Sequence, residues 1–146
     1  MSGLHKSYTT NRNLEVAGFE YKMEHATNDD GTIPTFIISR MGPSNPHYRK
    51  DLNAAMEPHK RKRELGTLSN EVAEKVLREV FCRTILKGWH NVQNESGEAI
   101  NFTPEAAAKL MEELPDLYAE LSNEAATMAN FLEAQVASEG KHSLTS

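Results

Sequence analysis

Phe19-Glu20-Tyr21-Lys22-Met23-Glu24 alternates apolar and polar side chains, the period of a strand with one buried face. Asn28-Asp29-Asp30-Gly31 follows with residues that tolerate a tight turn, and Thr35-Phe36-Ile37-Ile38-Ser39 is a second β-favouring run. Together they predict an antiparallel hairpin over residues 18–40. Two strands alone are marginal in water, so the hairpin must pack on helices or pair with another chain. Its open edge, carrying Phe36, Ile37 and Ile38, is a candidate site for strand addition by a partner.

Downstream the period changes to that of helices. Asn45 is a natural N-cap and Pro46 a natural first helical residue, with Tyr48, Leu52, Ala55 and Met56 at helical spacing, which predicts a helix over 46–57. Pro58 lacks an N–H and must end or kink it. The most amphipathic segment starts at Ser69 or Asn70, places Val72, Val76, Leu77, Val80, Phe81 and Ile85 on one stripe, and is expected to run over 69–87 with Gly88 as its stop. Trp89-His90-Asn91-Val92 and Ala99-Ile100-Asn101-Phe102 flank the polar turn Gln93 to Glu98, an apolar-tipped loop. Thr103-Pro104-Glu105 opens a helix over 104–113. Leu114-Pro115-Asp116 resets the direction for a helix over 115–136 that carries Leu117, Tyr118, Leu121, Ala125, Met128, Phe131, Leu132 and Val136. Trp89, Phe102 and Leu114 are read as core residues that fasten the loop to these helices.

The expected fold class is therefore α+β, mostly α: an N-terminal antiparallel β-hairpin followed by a bundle of three to five helices. One domain spans 14–137, between a flexible arm at 1–13 and a flexible polar tail at 138–146. The length of 146 residues fits a single domain able to bury a core, and a hydrophobic content of 38% agrees.

Composition and motifs narrow the chemistry. One cysteine, Cys82, permits neither an intramolecular disulfide nor a cysteine-based zinc site, and its place in an apolar helix beside Phe81 reads as an inert buried thiol. The six histidines are scattered, and none forms a pair at i, i+4 around a glutamate. Aligning Gly97 with the glycine of a calcium loop puts Val92 first and Thr103 last, where carboxylates are needed. A phosphate-cradling Gly-rich loop and a nucleophile elbow are both missing, so neither catalysis nor a metal or cofactor is expected. No apolar run approaches the ~20 residues of a membrane span. The N-terminal residues lack the pattern of a secretory signal, so a cytoplasmic protein without membrane contact is expected.

Charge is segregated along the chain. From His47 to Arg63 six bases face two acids, a local charge of +4, with Lys60, Arg61, Lys62 and Arg63 contiguous. From Glu95 to Glu139 ten acids face Lys109 alone, a local charge of −9. The segment 59–63 has the charge to hold a nucleic-acid backbone, against which stand the net charge of −5 and the lack of interleaved aromatics. A protein partner, or another copy of the chain meeting the acidic helix head to tail, uses the same dipole.

Five blocks taken together resemble a known family. They are Phe36-Ile37-Ile38-Ser39-Arg40, Gly42-x-Ser44-Asn45-x-x-Tyr48, Ile85-Leu86-x-Gly88-Trp89-x-x-Val92, Gly97-Glu98-x-Ile100-x-Phe102-Thr103-Pro104-Glu105 and Leu114-Pro115-Asp116-Leu117. In these the chain is similar to the tail assembly chaperones of long-tailed bacteriophages, from about Leu14 to about Phe131. It departs at Met41-Gly42-Pro43, where family members often carry Ala-Gly-Gly. The resemblance implies a non-enzymatic protein of the host bacterial cytoplasm that binds the tape-measure protein, recruits tail-tube subunits and is absent from the mature virion. It marks Arg40, Asn45, Tyr48, Trp89, Phe102 and Asp116 as partner-binding or fold-fixing residues. It also implies a longer form made by ribosomal frameshifting, for which Glu139-Gly140-Lys141 can be encoded with a slippery heptamer. Two other expectations use the same residues: a structural head-tail or tail component of the virion, and a small nucleic-acid-binding regulator acting through 59–63.

Overall fold

The structure, a computed structural model, describes residues 2–132. Val136, the tail at 138–146 and the frameshift signal lie outside the described residues. The chain is mostly helical with one small antiparallel sheet, an α+β fold. Its elements are α1 (Gly3–Tyr8), α2 (Arg12–Ala17), β1 (Phe19–Lys22), β2 (Thr35–Ile38), α3 (Pro46–Met56), α4 (Lys60–Glu64), α5 (Asn70–Val80), β3 (Leu86–His90), α6 (Pro104–Glu113) and α7 (Pro115–Ala126).

The sheet has three strands in the order β1-β2-β3, so β2 is central. Phe19 pairs with Ile38 and Lys22 with Thr35 on one side; Trp89 pairs with Phe36 and Leu86 with Ile38 on the other. This corrects the expectation of a hairpin with an open edge. Phe36, Ile37 and Ile38 have neighbours on both sides, and Phe36 and Ile38 are buried, so none offers a free backbone to a partner strand. The third strand comes from residues expected to end a helix. After α5 the turn widens over Phe81–Ile85 into a π-helical segment, and the chain leaves as β3. The Ser39 amide and hydroxyl both donate to the Ile85 carbonyl at 2.9 Å, which satisfies an acceptor that the ended helix exposes. Gly88 is not a helix stop but a strand residue opposite Ile37, where a Cβ would lie 3.6 Å from Ile37 Cδ1.

Two further differences have local causes. The expected arm is partly ordered: Ser2 caps α1, whose residues are exposed, and Asn11 caps α2. As expected, α3 ends at Met56, just before Pro58, which lies in a 3-10 turn, Glu57–His59, that joins α3 to α4. The helix expected over 115–136 ends at Ala126, and a 3-10 turn, Met128–Phe131, folds the chain back so that the Asn11 amide donates to the Phe131 carbonyl at 2.7 Å.

The core lies between the sheet, the π turn and the α6–α7 pair. Ile38, Val80, Phe81, Ile85, Met111 and Leu121 are fully buried there, and burying each such side chain contributes about 1.5–3 kcal/mol. Phe131 is buried edge-on to Phe19, with ring centroids 5.2 Å apart. Gly18 has φ +97° and its missing Cβ would lie 3.0 Å from the Ile38 carbonyl carbon, so only glycine lets α2 turn directly into β1.

Candidate functional site

The open end of the core is built by the elbow between α6 and α7. Pro115 disfavours helical geometry at Leu114, which takes φ −124° and ψ 75°, ends α6 and starts α7. That backbone turn leaves the Leu114 side chain 50% exposed. Leu114 is thus a surface residue, not the core fastener expected of it. Opposite the elbow, the long connection between β1 and β2 is tied to the loop after β3. Asn28 Nδ2 donates to the Asn91 carbonyl at 2.8 Å, Asn91 Nδ2 donates to the Ile33 carbonyl at 3.1 Å, and Gln93 Nε2 donates to Asp30 at 2.9 Å. Hydrogen bonds from Thr32 and Gln93 hold the Asp30 carboxyl below its ordinary pKa.

Between these two walls lies a groove of about 470 Å³. Met23, Pro34, Phe36, Val92, Leu110 and Leu117 make it apolar, Leu114 stands at its lip, and His25, Glu113, Asp116 and Glu120 surround it. The Tyr21 hydroxyl donates to Glu120 at 3.0 Å, and His25 Nε2 lies 3.7 Å from the same carboxylate oxygen. Partial burial first, and then the hydrogen bond and charge of Glu120, push the Tyr21 phenol up to about 12. The groove can therefore take apolar side chains whose flanks carry positive charge; it has the acids to repel a negative one.

The six residues marked by the resemblance do not form one site. Arg40 and Asn45 come together in a buried polar node around Glu15. Glu15 is fully buried, accepts from the Thr10 hydroxyl at 2.5 Å and from the Ser44 hydroxyl, and lies 3.7 Å from the Arg40 guanidinium. Arg40 also lies over the Phe131 ring at 5.5 Å. Asn45 accepts from the His47 amide at 3.1 Å as the cap of α3 and donates to the carbonyls of Arg40 and Glu15 at 3.0 and 3.3 Å. Trp89 and Phe102 form a second cluster. Their rings meet edge to face at 5.0 Å, Trp89 meets Phe36 at 6.1 Å, and the indole N–H donates to the Ile100 carbonyl at 2.8 Å. Tyr48 is half-buried on α3 against the core, and burial raises its pKa. Asp116 alone of the six lies on the groove.

Sequence reasoning missed Glu15, a carboxylate between Leu14 and Val16 whose charge reads as a solvent-facing position. It also missed Leu110, Met23 and Val92 as groove residues, because the groove joins segments far apart in the chain. The edge candidates Phe36, Ile37 and Ile38 divide: Phe36 forms part of the groove, while Ile37 and Ile38 lie within the sheet. Lys60, Arg61, Lys62 and Arg63 are exposed on α4 and make no ion pair among the described residues. Cys82 is buried, and burial pushes its thiol up to about 11. No group of three or more His, Cys, Asp and Glu side chains gathers as metal ligands among the described residues, and none of their helices is long and apolar enough to cross a membrane.

No curated protein and no solved structure matches the chain. The family model of the YdaY prophage protein matches residues 43–141. That match takes in α3 to α7, both clusters' downstream members and the groove elbow, more than half of the 146 residues. The chain belongs to the YdaY prophage protein family and is phage-derived.

Proposed function

We propose that this prophage protein is a tail assembly chaperone, which holds the tape-measure protein in soluble form, recruits tail-tube subunits to it, and leaves the finished tail. It acts in the host cytoplasm as a binding protein, without catalysis or a cofactor. The observation that carries this reading is the open groove at the α6–α7 elbow: apolar inside, acidic around, and, at about 470 Å³, with the volume for several side chains of a helical stripe. Burying two or three leucine-sized anchors contributes about 1.5–3 kcal/mol each, from which the cost of association must be subtracted. The result is a reversible complex, as a chaperone that departs requires. The phage origin and the five resembling blocks point the same way.

The test is co-expression with the long helix-rich protein encoded beside it, followed by affinity capture and a solubility assay. A partner that is soluble and co-purifies only with this chain supports the chaperone. A partner indifferent to the chain, with the chain itself retained in purified virions, makes it a structural tail component instead.

A further inference from the structure

The groove has a complementary surface on the same molecule. Lys60, Arg61, Lys62 and Arg63 make up α4 with Glu64, and Leu65, which caps it, is 65% exposed. Every residue from Lys60 to Thr67 is exposed. Four bases, one glutamate and then an exposed apolar side chain leave this tip net positive around Leu65, the inverse of an apolar groove ringed by acids. None of these residues lines the groove of its own chain. Glu113 and Asp116 have no ion-pair partner among the described residues, so both halves are free to meet another molecule.

We propose that the chain associates with itself head to tail: the α4 tip of one copy enters the groove of the next, Leu65 on the apolar interior beside Leu114, the basic residues on Glu113, Asp116 and Glu120. Because the two surfaces differ, the contact is heterologous and leaves a free tip and a free groove at the ends of any short assembly. A client with a basic-flanked apolar segment competes for the same groove. The inference is independent of the client's identity, since both of its surfaces belong to this chain.

The experiment is sedimentation of the purified chain over a concentration series at ~0.05 M and ~0.5 M salt, conditions that differ in how far the charges reach. The mass is expected to rise with concentration at low salt and to return to monomer at high salt. Two variants separate the surfaces. K60Q/R61Q/R63Q/L65S removes the tip, and E113Q/D116N/E120Q neutralises the groove while keeping an acceptor for Tyr21. Each alone is expected to stay monomeric with an unchanged melting temperature. Their mixture is expected to stop at a one-to-one dimer, because one native tip and one native groove remain. A monomer at every concentration overturns the proposal, as does association that both variants retain. A tip that shifts duplex DNA in a gel while the native chain stays monomeric assigns α4 to nucleic acid and overturns it as well.

Discussion

Glu15 and Arg40 face each other across the junction of α2 and the strand exit, their charged atoms 3.7 Å apart, with the carboxylate wholly removed from water. A buried ion pair of this kind contributes little over an apolar pair of the same shape, but removing Glu15 leaves the Arg40 guanidinium largely buried without its partner, whereas without Arg40 the carboxylate keeps Arg12, also 3.7 Å away. Glu15→Ala should therefore destabilise the fold by about 3–5 kcal/mol, and Arg40→Ala by less. Glu15→Leu combined with Arg40→Met should cost much less than the sum of the single changes. Urea midpoints of the four variants decide it; additive losses would show that the pair does not act as a unit.

Asn45 has both ends of its amide in use. Asn45→Ala removes the cap of α3 and leaves the Arg40 carbonyl without its side-chain donor, while the Glu15 carbonyl keeps the Arg40 amide, for a loss of about 1–3 kcal/mol. Asn45→Asp keeps the capping oxygen but sets a carboxylate against two carbonyls. It should therefore be no better than alanine. Aspartate restoring wild-type stability would mean that capping alone matters there.

The single tryptophan reports on the loop it fastens. Trp89→Phe keeps the ring contacts with Phe36 and Phe102 but loses the bond to Ile100, a change of about 0.5–1.5 kcal/mol, whereas Trp89→Ala should cost about 3–5 kcal/mol. Amide exchange at residues 91–102 should accelerate in the phenylalanine variant before the rest of the core does. If Trp89→Ala left solubility and partner capture intact, the aromatic cluster would not be what fixes the loop.

Alkaline pH should weaken the fold. The Cys82 thiol is pushed from an ordinary 9.0 to about 11 and the Tyr21 phenol from 10.0 to about 12, in both cases with burial the leading cause. The folded chain keeps these protons where the unfolded chain releases them, so their contribution is complete below pH 9.0 and is lost progressively up to about pH 12. The urea midpoint should be level up to pH 9.0 and then decline. Tyr21→Phe should flatten the upper part of that decline; a slope unchanged by the substitution would remove Tyr21 from the account.

Local signals in the sequence carried far into the structure where the cause was itself local. The alternation at Phe19–Met23 appears as β1, and the Thr103 hydroxyl caps α6 by accepting from the Ala106 amide at 2.9 Å. What was hidden depends on distant partners. β3 was unreadable because Leu86-Lys87-Gly88 looks like the frayed end of a strong helix, and only Ser39 and the central strand turn it into a strand. The groove was hidden for the same reason. Leu114 is apolar and lies between two helices, and nothing short of the elbow's backbone geometry says that it points outward.

That outward position gives the sharpest separation between scaffold and docking surface. Leu114→Asp changes a half-exposed side chain, so stability should move by no more than about 0.5 kcal/mol. The groove would nevertheless lose its apolar lip to a hydrated carboxylate, a loss that the added attraction for basic flanks does not replace. Capture of the proposed tape-measure client should drop at least tenfold, about 1.4 kcal/mol, while the melting temperature holds. Trp89→Ala, by contrast, should lower both together, because the groove depends on the loop that Trp89 fastens. Paired measurements of melting and capture on these two variants test the assignment directly. Capture that survives Leu114→Asp at full strength would move the client to another face, and the groove would then be left to the tip of a second copy.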